Sequence, residues 1–173
     1  MTTLFEVGQD GFTISTDPTR LDMTLIHRVL STESYWAEGR SFERVSRSFA
    51  NSLPFGVYAA DGALVGWARV ISDFATFAYI SDVWVQKSHR GHGLSKFLVG
   101  AMLAHPELQG LKRWSLNTLD AHGLYEQFGF AALAEPEKSM ERRQPSIASP
   151  SSRATTKSVG AASPSPASRA STS

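Results

Sequence analysis

The chain has 173 residues, of which 42% are apolar and 19% are charged, and its formal net charge is +1 at pH 7. This length is enough for one domain with a buried core, and the near-zero charge does not favour nucleic acid or an anionic membrane as a partner. Because the chain has no cysteine, a disulfide framework, a thiolate metal site and a cysteine nucleophile are excluded.

The N-terminal segment, MTTLFEVGQDG, lacks the basic residues followed by an apolar run that a secretory signal has. No apolar run reaches the roughly 20 residues that a membrane-spanning helix needs. We therefore expect a cytoplasmic protein without a membrane partner. His89 and His92 have no further ligands at the spacing of a metal site, so no metal is expected.

The composition changes sharply after Arg143. The 30 residues from Gln144 to Ser173 include ten serines, six alanines and four prolines, with no aromatic and no acidic residue. Such a segment cannot bury enough apolar surface to offset the entropy of ordering it. We therefore predict a folded domain over residues 1–143 and a disordered Ser/Ala/Pro-rich tail over residues 144–173.

The first third of the predicted domain contains one strand and two helices. Residues 12–16 alternate between apolar and polar side chains, which predicts a short strand. Asp17-Pro18 is a favourable helix start, and residues 34–39 predict a loop. Ser41 predicts the cap of a second helix. The apolar positions of the two helices are Leu21, Leu25, Ile26, Val29 and Leu30 in the first, and Phe42, Val45 and Phe49 in the second.

A hairpin and a central strand follow. The hairpin joins residues 54–60 to residues 63–71 through Asp61-Gly62, a dipeptide typical of tight hairpin turns. Residues 77–85 are nearly all apolar, which is typical of a central strand. A helix then begins near Leu94 and ends before Pro106.

The last part of the predicted domain contains a strand over residues 113–118, a short helix capped by Asp120, and a final strand or hairpin between residues 130 and 140. Gly129 is placed to supply the left-handed residue that ends the short helix. The predicted order of elements is that of an α/β or α+β sheet with helices on its faces.

A glycine-rich turn, Arg90-Gly91-His92-Gly93-Leu94-Ser95, joins the central strand to the amphipathic helix. Backbone N–H groups at a helix N-terminus, together with the helix dipole, suit a phosphate. Glycine lets the backbone approach an anion without a Cβ atom in the way. The alternative is that Gly91 and Gly93 only shape a tight turn.

This turn resembles the phosphate signature of the GNAT superfamily of acyl-CoA N-acyltransferases. Arg90, Gly93 and Ser95 fill that signature, with Ser95 a departure at the last position. Downstream, Ala121-His122-Gly123-Leu124-Tyr125 and Gly129-Phe130 match a second element that is frequent in the family. The resemblance covers about residues 12–143.

The resemblance implies a mixed, mostly antiparallel sheet of six to seven strands with helices on both faces, splayed between the strand 77–85 and the strand 113–118. It implies acetyl-CoA as co-substrate. Its implied binding residues are Val83, Trp84, Val85, Arg90, Gly91, His92, Gly93, Leu94, Ser95 and Thr118. Thr118 stands where many relatives place an asparagine.

The resemblance also implies that Tyr125 is the general acid that protonates the departing thiolate. The alternative is a packed helix aromatic. Asp82 interrupts an apolar strand, and we predict that it binds a cationic amine or steers its deprotonation; a structural carboxylate bonded to a turn or an arginine is an equal alternative.

Tyr35 and Trp36, in the loop between the first two helices, are the predicted wall of an acceptor pocket. We therefore expect an acetyl-CoA-dependent N-acetyltransferase that acts on a small molecule or an exposed amine. Alternatives are a non-catalytic acyl-CoA-binding regulatory module and acylation of a large partner. The oligomeric state stays open, with a homodimer formed through sheet edges as one expectation.

Overall fold

Six strands form one sheet, and their order in space, β1-β2-β3-β4-β5-β6, is also their order in the chain. The computed structural model describes residues 4–142. Neighbouring strands are antiparallel except β5 and β6, which are parallel. The strands are β1 (Glu6–Gln9), β2 (Phe12–Ser15), β3 (Leu53–Tyr58), β4 (Leu64–Ser72), β5 (Phe77–Val85) and β6 (Arg113–Ser115).

Four α-helices connect or follow these strands: α1 (Met23–Glu33), α2 (Phe42–Ala50), α3 (Leu94–Ala104) and α4 (His122–Glu126). The side chain of Ser41 accepts a hydrogen bond from the N–H of Arg44, which confirms the predicted cap of α2. Asp17-Pro18 begins only a 3₁₀ turn, and α1 is capped by Asp22 instead. The helix predicted to start at Asp17 therefore starts about one turn later.

Two apolar cores cover the two faces of the sheet. One is formed by β-strand residues such as Phe55, Val70 and Ile80 together with α3, and α4 adds Tyr125 to it. The other packs α1 and α2 against the opposite face, with the fully buried Trp67 among its members. The predicted mixed, mostly antiparallel sheet with helices on both faces is confirmed.

Sequence reasoning missed β1, three of whose four residues are exposed. Such an edge strand has no apolar alternation to indicate it. A usable signal was present in Asp10-Gly11, where both residues have positive φ (50° and 80°) between β1 and β2. The local turn chemistry, rather than periodicity, would have predicted this hairpin.

Three further predictions are corrected. The strand predicted over 113–118 ends at Ser115, because β5 diverges from it and leaves no partner to pair with. The short helix is preceded by Thr118, whose hydroxyl accepts from the N–H of Ala121, and not by an Asp120 cap. Phe42 is 50% exposed and does not share the buried face of Val45.

The final strand predicted between residues 130 and 140 is also wrong, since the structure has no strand there. Gly129, with φ of 81°, follows the end of α4 as predicted. The chain divides after Ala132 into a first unit, which holds the sheet and α1–α4, and a second unit. The described part of the second unit forms the 3₁₀ turn Pro136–Lys138, where Lys138 pairs with Glu135.

The tail predicted over residues 144–173 lies outside the described residues. Within residues 4–142, no helix has the length and apolar character needed to cross a membrane.

Candidate active site

The strands β5 and β6 separate along their length. Their parallel pairing extends only from Phe77 opposite Arg113 to Tyr79 opposite Ser115, whereas β5 continues to Val85. Beyond Tyr79, the edge of β5 that faces β6 therefore has no strand beside it within the described residues. Backbone N–H and C=O groups along such an edge are available to an extended ligand. The predicted splay between these strands is confirmed.

The glycine turn lies at the end of this open edge. Gly91 and Gly93 have φ of 84° and 74°, which an L-residue adopts only with strain, and a Cβ atom at either position would meet no neighbour within 4 Å. Gly93 is the N-cap of α3, and no side chain caps this helix. The N–H groups of the first turn of α3 are therefore left to an outside acceptor.

Arg90 precedes these glycines and His92 lies between them, and each side chain forms a hydrogen bond to a nearby backbone carbonyl. Nε of Arg90 donates to the carbonyl of Val85 at 3.1 Å, and Nδ1 of His92 lies 3.2 Å from the carbonyl of His89. Arg90 thus ties the turn to the end of β5. The open space beside both glycines, together with the free N–H groups of α3, fits a pyrophosphate.

A β-bulge in β5 changes the face of the sheet on which the side chain of Asp82 lies. Asp82 and Val83 together lie opposite Ala68 of β4, and Asp82 has a φ of 51°. Val83 packs against the same core as Ile80, so it continues the apolar face that covers α3. The extra residue turns Asp82 to the α1–α2 face of the sheet, where Arg69 lies.

The Asp82 carboxylate is buried and fully bonded. Oδ2 accepts from Nε of Arg69 at 2.7 Å, and Oδ1 accepts from the indole N–H of Trp36 at 3.1 Å. Nη1 of Arg40 lies 3.2 and 3.3 Å from the two oxygens. These four contacts match the roughly four acceptor positions of a carboxylate. Asp82 thereby holds the segment 34–40 against β5, which corresponds to the structural alternative considered for it.

The predicted aromatic wall lies in that segment. Tyr35 and Trp36 are 59% and 39% exposed, and their rings meet edge to face with centroids 5.0 Å apart. Nη2 of Arg40 donates to the carbonyl of Trp36 at 3.3 Å, which closes the turn. Two exposed aromatic rings on a hydrogen-bonded turn form a preorganised surface for a ligand.

Tyr125 of α4 lies within electrostatic reach of this wall. Its side chain is 7% exposed and packs edge to face against Phe130 at 5.8 Å. Burial raises the pKa of the Tyr125 phenol, and the electrostatic interaction with Tyr35 raises it further. The Tyr125 phenol therefore keeps its proton at neutral pH.

The structure thus brings Trp36 into contact with Asp82 and Tyr35, and Tyr125 interacts electrostatically with Tyr35. Sequence reasoning missed the two arginines that bind Asp82. Arg69 had a usable signal, because it interrupts the apolar run of β4 just as Asp82 interrupts that of β5, and opposite charges in two apolar strands indicate an ion pair. Arg40 had no such signal, since it lies in a polar loop.

Comparison with known proteins assigns the chain to a family. Residues 23–130 match the acetyltransferase (GNAT) family. The chain belongs to this family. Among GNAT relatives, a Gibberella zeae protein named "Putative acetyltransferase FG08082" is 27% identical over 135 residues, which cover 66% of this chain and 75% of that protein.

Solved structures agree with the GNAT assignment. A GNAT-family crystal structure from Xanthomonas campestris pv. campestris is 49% identical, with a TM-score of 0.77, and covers 81% of this chain and 98% of that one. The structure of glucosamine-6-phosphate N-acetyltransferase from Arabidopsis thaliana gives a TM-score of 0.53 at 18% identity, over 78% and 97% of the two chains. The second likeness shows the fold alone. Membership of the GNAT family supports acetyl transfer as the general activity.

Proposed function

We propose that this GNAT protein transfers an acetyl group from acetyl-CoA to a primary amine by direct attack in a ternary complex, with Tyr125 as general acid. The divergence of β5 from β6 carries this proposal. It provides an open strand edge that ends at the glycine turn. In this proposal the pantetheine arm lies along Val83–Val85, with Thr118 beside it, and the pyrophosphate lies at residues 90–95.

The reaction needs one proton removed and one supplied. The neutral amine attacks the thioester carbonyl carbon, the new C–N bond forms, and the C–S bond breaks as the sulfur leaves. Tyr125 donates its proton to that sulfur, the proton lost by the amine passes to water, and water returns a proton to the Tyr125 phenolate. The Tyr125 phenol meets the first requirement of this role, because it keeps its proton at neutral pH.

Asp82 takes a supporting role in this proposal. Its oxygens bind Trp36, Arg40 and Arg69, so it orients the aromatic wall of the acceptor pocket rather than meeting the amine. Water, which needs no dedicated side chain, then accepts the amine proton. This assignment differs from a catalytic or amine-binding Asp82, and the stability and kinetics of Asp82→Asn separate the two.

Tyr125→Phe tests the proposal. We expect kcat to fall about 10²- to 10⁴-fold, the usual contribution of a positioned general acid. The Kd of acetyl-CoA, measured by calorimetry, should change less than about threefold, because the ring remains packed against Phe130. Thiol release from acetyl-CoA with a panel of amines gives the rate.

Tyr58→Phe is the matched control. Tyr58 is 3% exposed, and its hydroxyl has no hydrogen-bond partner within the described residues, so removing that hydroxyl should leave kcat unchanged. An unaltered kcat in Tyr125→Phe, under conditions where chemistry limits the rate, contradicts the acid role. Tight acetyl-CoA binding without thiol release on any amine supports the regulatory module instead.

A further inference from the structure

The ion-paired cluster on the acceptor side of the site contains more positive than negative charge. Two guanidinium groups, from Arg40 and Arg69, share the single carboxylate of Asp82. Glu38 lies in the same turn but forms no ion pair within the described residues. These three ion-paired side chains therefore carry a net charge of +1 beside the aromatic wall.

Of the two arginines, Arg69 forms the closer ion pair with Asp82, so the net positive charge of the cluster is assigned to Arg40. The Arg69 contact is the shorter one, at 2.7 Å, and both side chains are buried, at 9% and 1% exposure. Charges in such a pair interact strongly because water does not screen them. Arg40 lies farther from the carboxylate, at 3.2 Å, and its side chain is 31% exposed.

Arg40 also has unused hydrogen-bond donors. Its Nη1 and Nη2 atoms bond Asp82 and the carbonyl of Trp36, whereas its Nε–H has no hydrogen-bond partner within residues 4–142. Those two bonds hold the guanidinium plane in one orientation beside the exposed Trp36 ring. A fixed, partly exposed guanidinium suits the planar carboxylate group, which accepts hydrogen bonds from two of its N–H donors.

We propose that the amine acceptor also carries a carboxylate, which binds Arg40 beside Tyr35 and Trp36. This inference rests on the proposed acetyl transfer and narrows its substrate class. It disfavours polyamines, since a second cationic amine would meet a cluster of net positive charge whose one carboxylate has no free acceptor position. A compound in which the amine and the carboxylate are close together, as in an α-amino acid, satisfies the chemistry of both groups.

Matched amines test this inference. Each set contains an amino acid, its amide and its decarboxylated amine, with phenyl, isobutyl or methyl side groups, and thiol release gives kcat/KM for each compound. We expect the wild-type chain to prefer the carboxylate form in at least one set by about 10- to 100-fold, the range of a charge-assisted hydrogen bond.

Arg40→Gln is the deciding variant, because it keeps a side chain of similar reach but removes the charge. The ratio of kcat/KM between the carboxylate form and its amide should fall to about one. A purely structural role of Arg40 would lower both values together and leave the ratio unchanged. Arg44→Gln removes the same charge from the exposed surface of α2 and should keep the wild-type ratio.

The results separate the two proposals. If the amines and amides are acetylated at least as fast as the carboxylate forms, the carboxylate inference is overturned. The proposed acetyl transfer is not affected by that result. A carboxylate preference that survives in Arg40→Gln also overturns it. Failure of every amine in the panel, with acetyl-CoA bound, counts against the proposed transfer itself and therefore against both.

Discussion

Replacing Asp82 with asparagine separates a structural role of this residue from a chemical one. Asparagine has nearly the same shape and tolerates positive φ, so the bulge at φ of 51° is kept. The change removes the negative charge and turns one acceptor into an N–H₂ donor. That donor then faces the N–H groups of Arg69, Arg40 or Trp36, which now bind the Asp82 oxygens.

The expected cost follows from burial. Arg69 and Asp82 have side chains that are 9% and 1% exposed, so Asp82→Asn leaves a buried guanidinium without its counter-charge. Removing one partner of such a pair costs about 3–5 kcal/mol. The Arg40 contact adds about 0–1 kcal/mol, because Arg40 is 31% exposed and partly screened by water. We therefore expect the free energy of unfolding to fall by about 3–6 kcal/mol.

Urea denaturation followed by tryptophan fluorescence measures this loss as a change in midpoint at constant slope. Asp61→Asn is the control for net charge. Its carboxylate accepts from the N–H of Ala63 in an exposed hairpin turn, and Asn-Gly suits the same turn. This control should change the free energy of unfolding by less than about 0.5 kcal/mol.

A double-mutant cycle strengthens the test. Arg69→Met alone should be destabilising, because it leaves the buried Asp82 charge with Arg40 as its remaining cation. Combining Arg69→Met with Asp82→Asn should restore part of the lost stability, since a buried pair replaced on both sides leaves no uncompensated charge. The coupling between the two sites should exceed about 1 kcal/mol.

One result refutes this reasoning. If Asp82→Asn loses less than about 1 kcal/mol of stability while kcat falls by 100-fold or more, Asp82 acts in the chemistry, as the sequence-based hypothesis held. If the role of Asp82 is structural, the larger kinetic effect is a raised KM for the acceptor, because the contacts of Asp82 that hold Trp36 and Arg40 in the turn are weakened.

The remaining predictions concern the turn and a buried histidine. Gly93→Ala should cost about 1–2 kcal/mol of stability because of its φ of 74°, and calorimetry should show acetyl-CoA binding at least tenfold weaker. The control is Gly62→Ala, which has a φ of 86° in a distant hairpin. It should cost the same stability and leave acetyl-CoA binding unchanged. Burial lowers the pKa of His105, whose Nδ1 accepts from the N–H of Glu107. Stability should fall as pH drops below about 6.5, and urea titrations should show a shallower fall in His105→Gln.

The sign of the histidine effect follows from proton uptake. Below the ordinary histidine pKa, His105 binds a proton in the unfolded chain. In the folded protein the same ring is buried between Phe5 and Phe55 and stays neutral until the pH is lower. The charged side chain of Glu107 opposes this shift only in part. If the free energy of unfolding has the same pH dependence in the wild type and in His105→Gln, between pH 8 and the lowered pKa, this account is contradicted.

Local chemistry explains which parts of the fold the sequence could predict. The bounds of β5 follow from an apolar run, and the β3–β4 hairpin follows from Asp61-Gly62, so each depends on residues close together in the chain. Strand 113–118 was predicted too long because its end depends on where β5 leaves it. That divergence is a long-range property which no local pattern encodes.

The same distinction applies to the site. The glycine turn and Tyr125 lie in short contiguous patterns, and the resemblance to a known family could identify them. The three partners of Asp82 lie 13, 42 and 46 residues away in the chain. A single extra residue in the bulge decides which face of the sheet Asp82 occupies. Alternation alone would have placed it in the core beside α3.

The bulge also predicts how the two halves of the proposed site are coupled. The donor half uses the free edge of β5 and the N-terminus of α3, whereas the acceptor half is held to β5 through Asp82. On the other edge, β5 pairs with β4 from Ala78 to Val85, so this strand is fixed independently of the acceptor turn. Loss of the Asp82 contacts should therefore release the turn at residues 34–40 and raise the acceptor KM. It should leave the Kd of acetyl-CoA nearly unchanged, because no donor-side contact in this proposal passes through that turn.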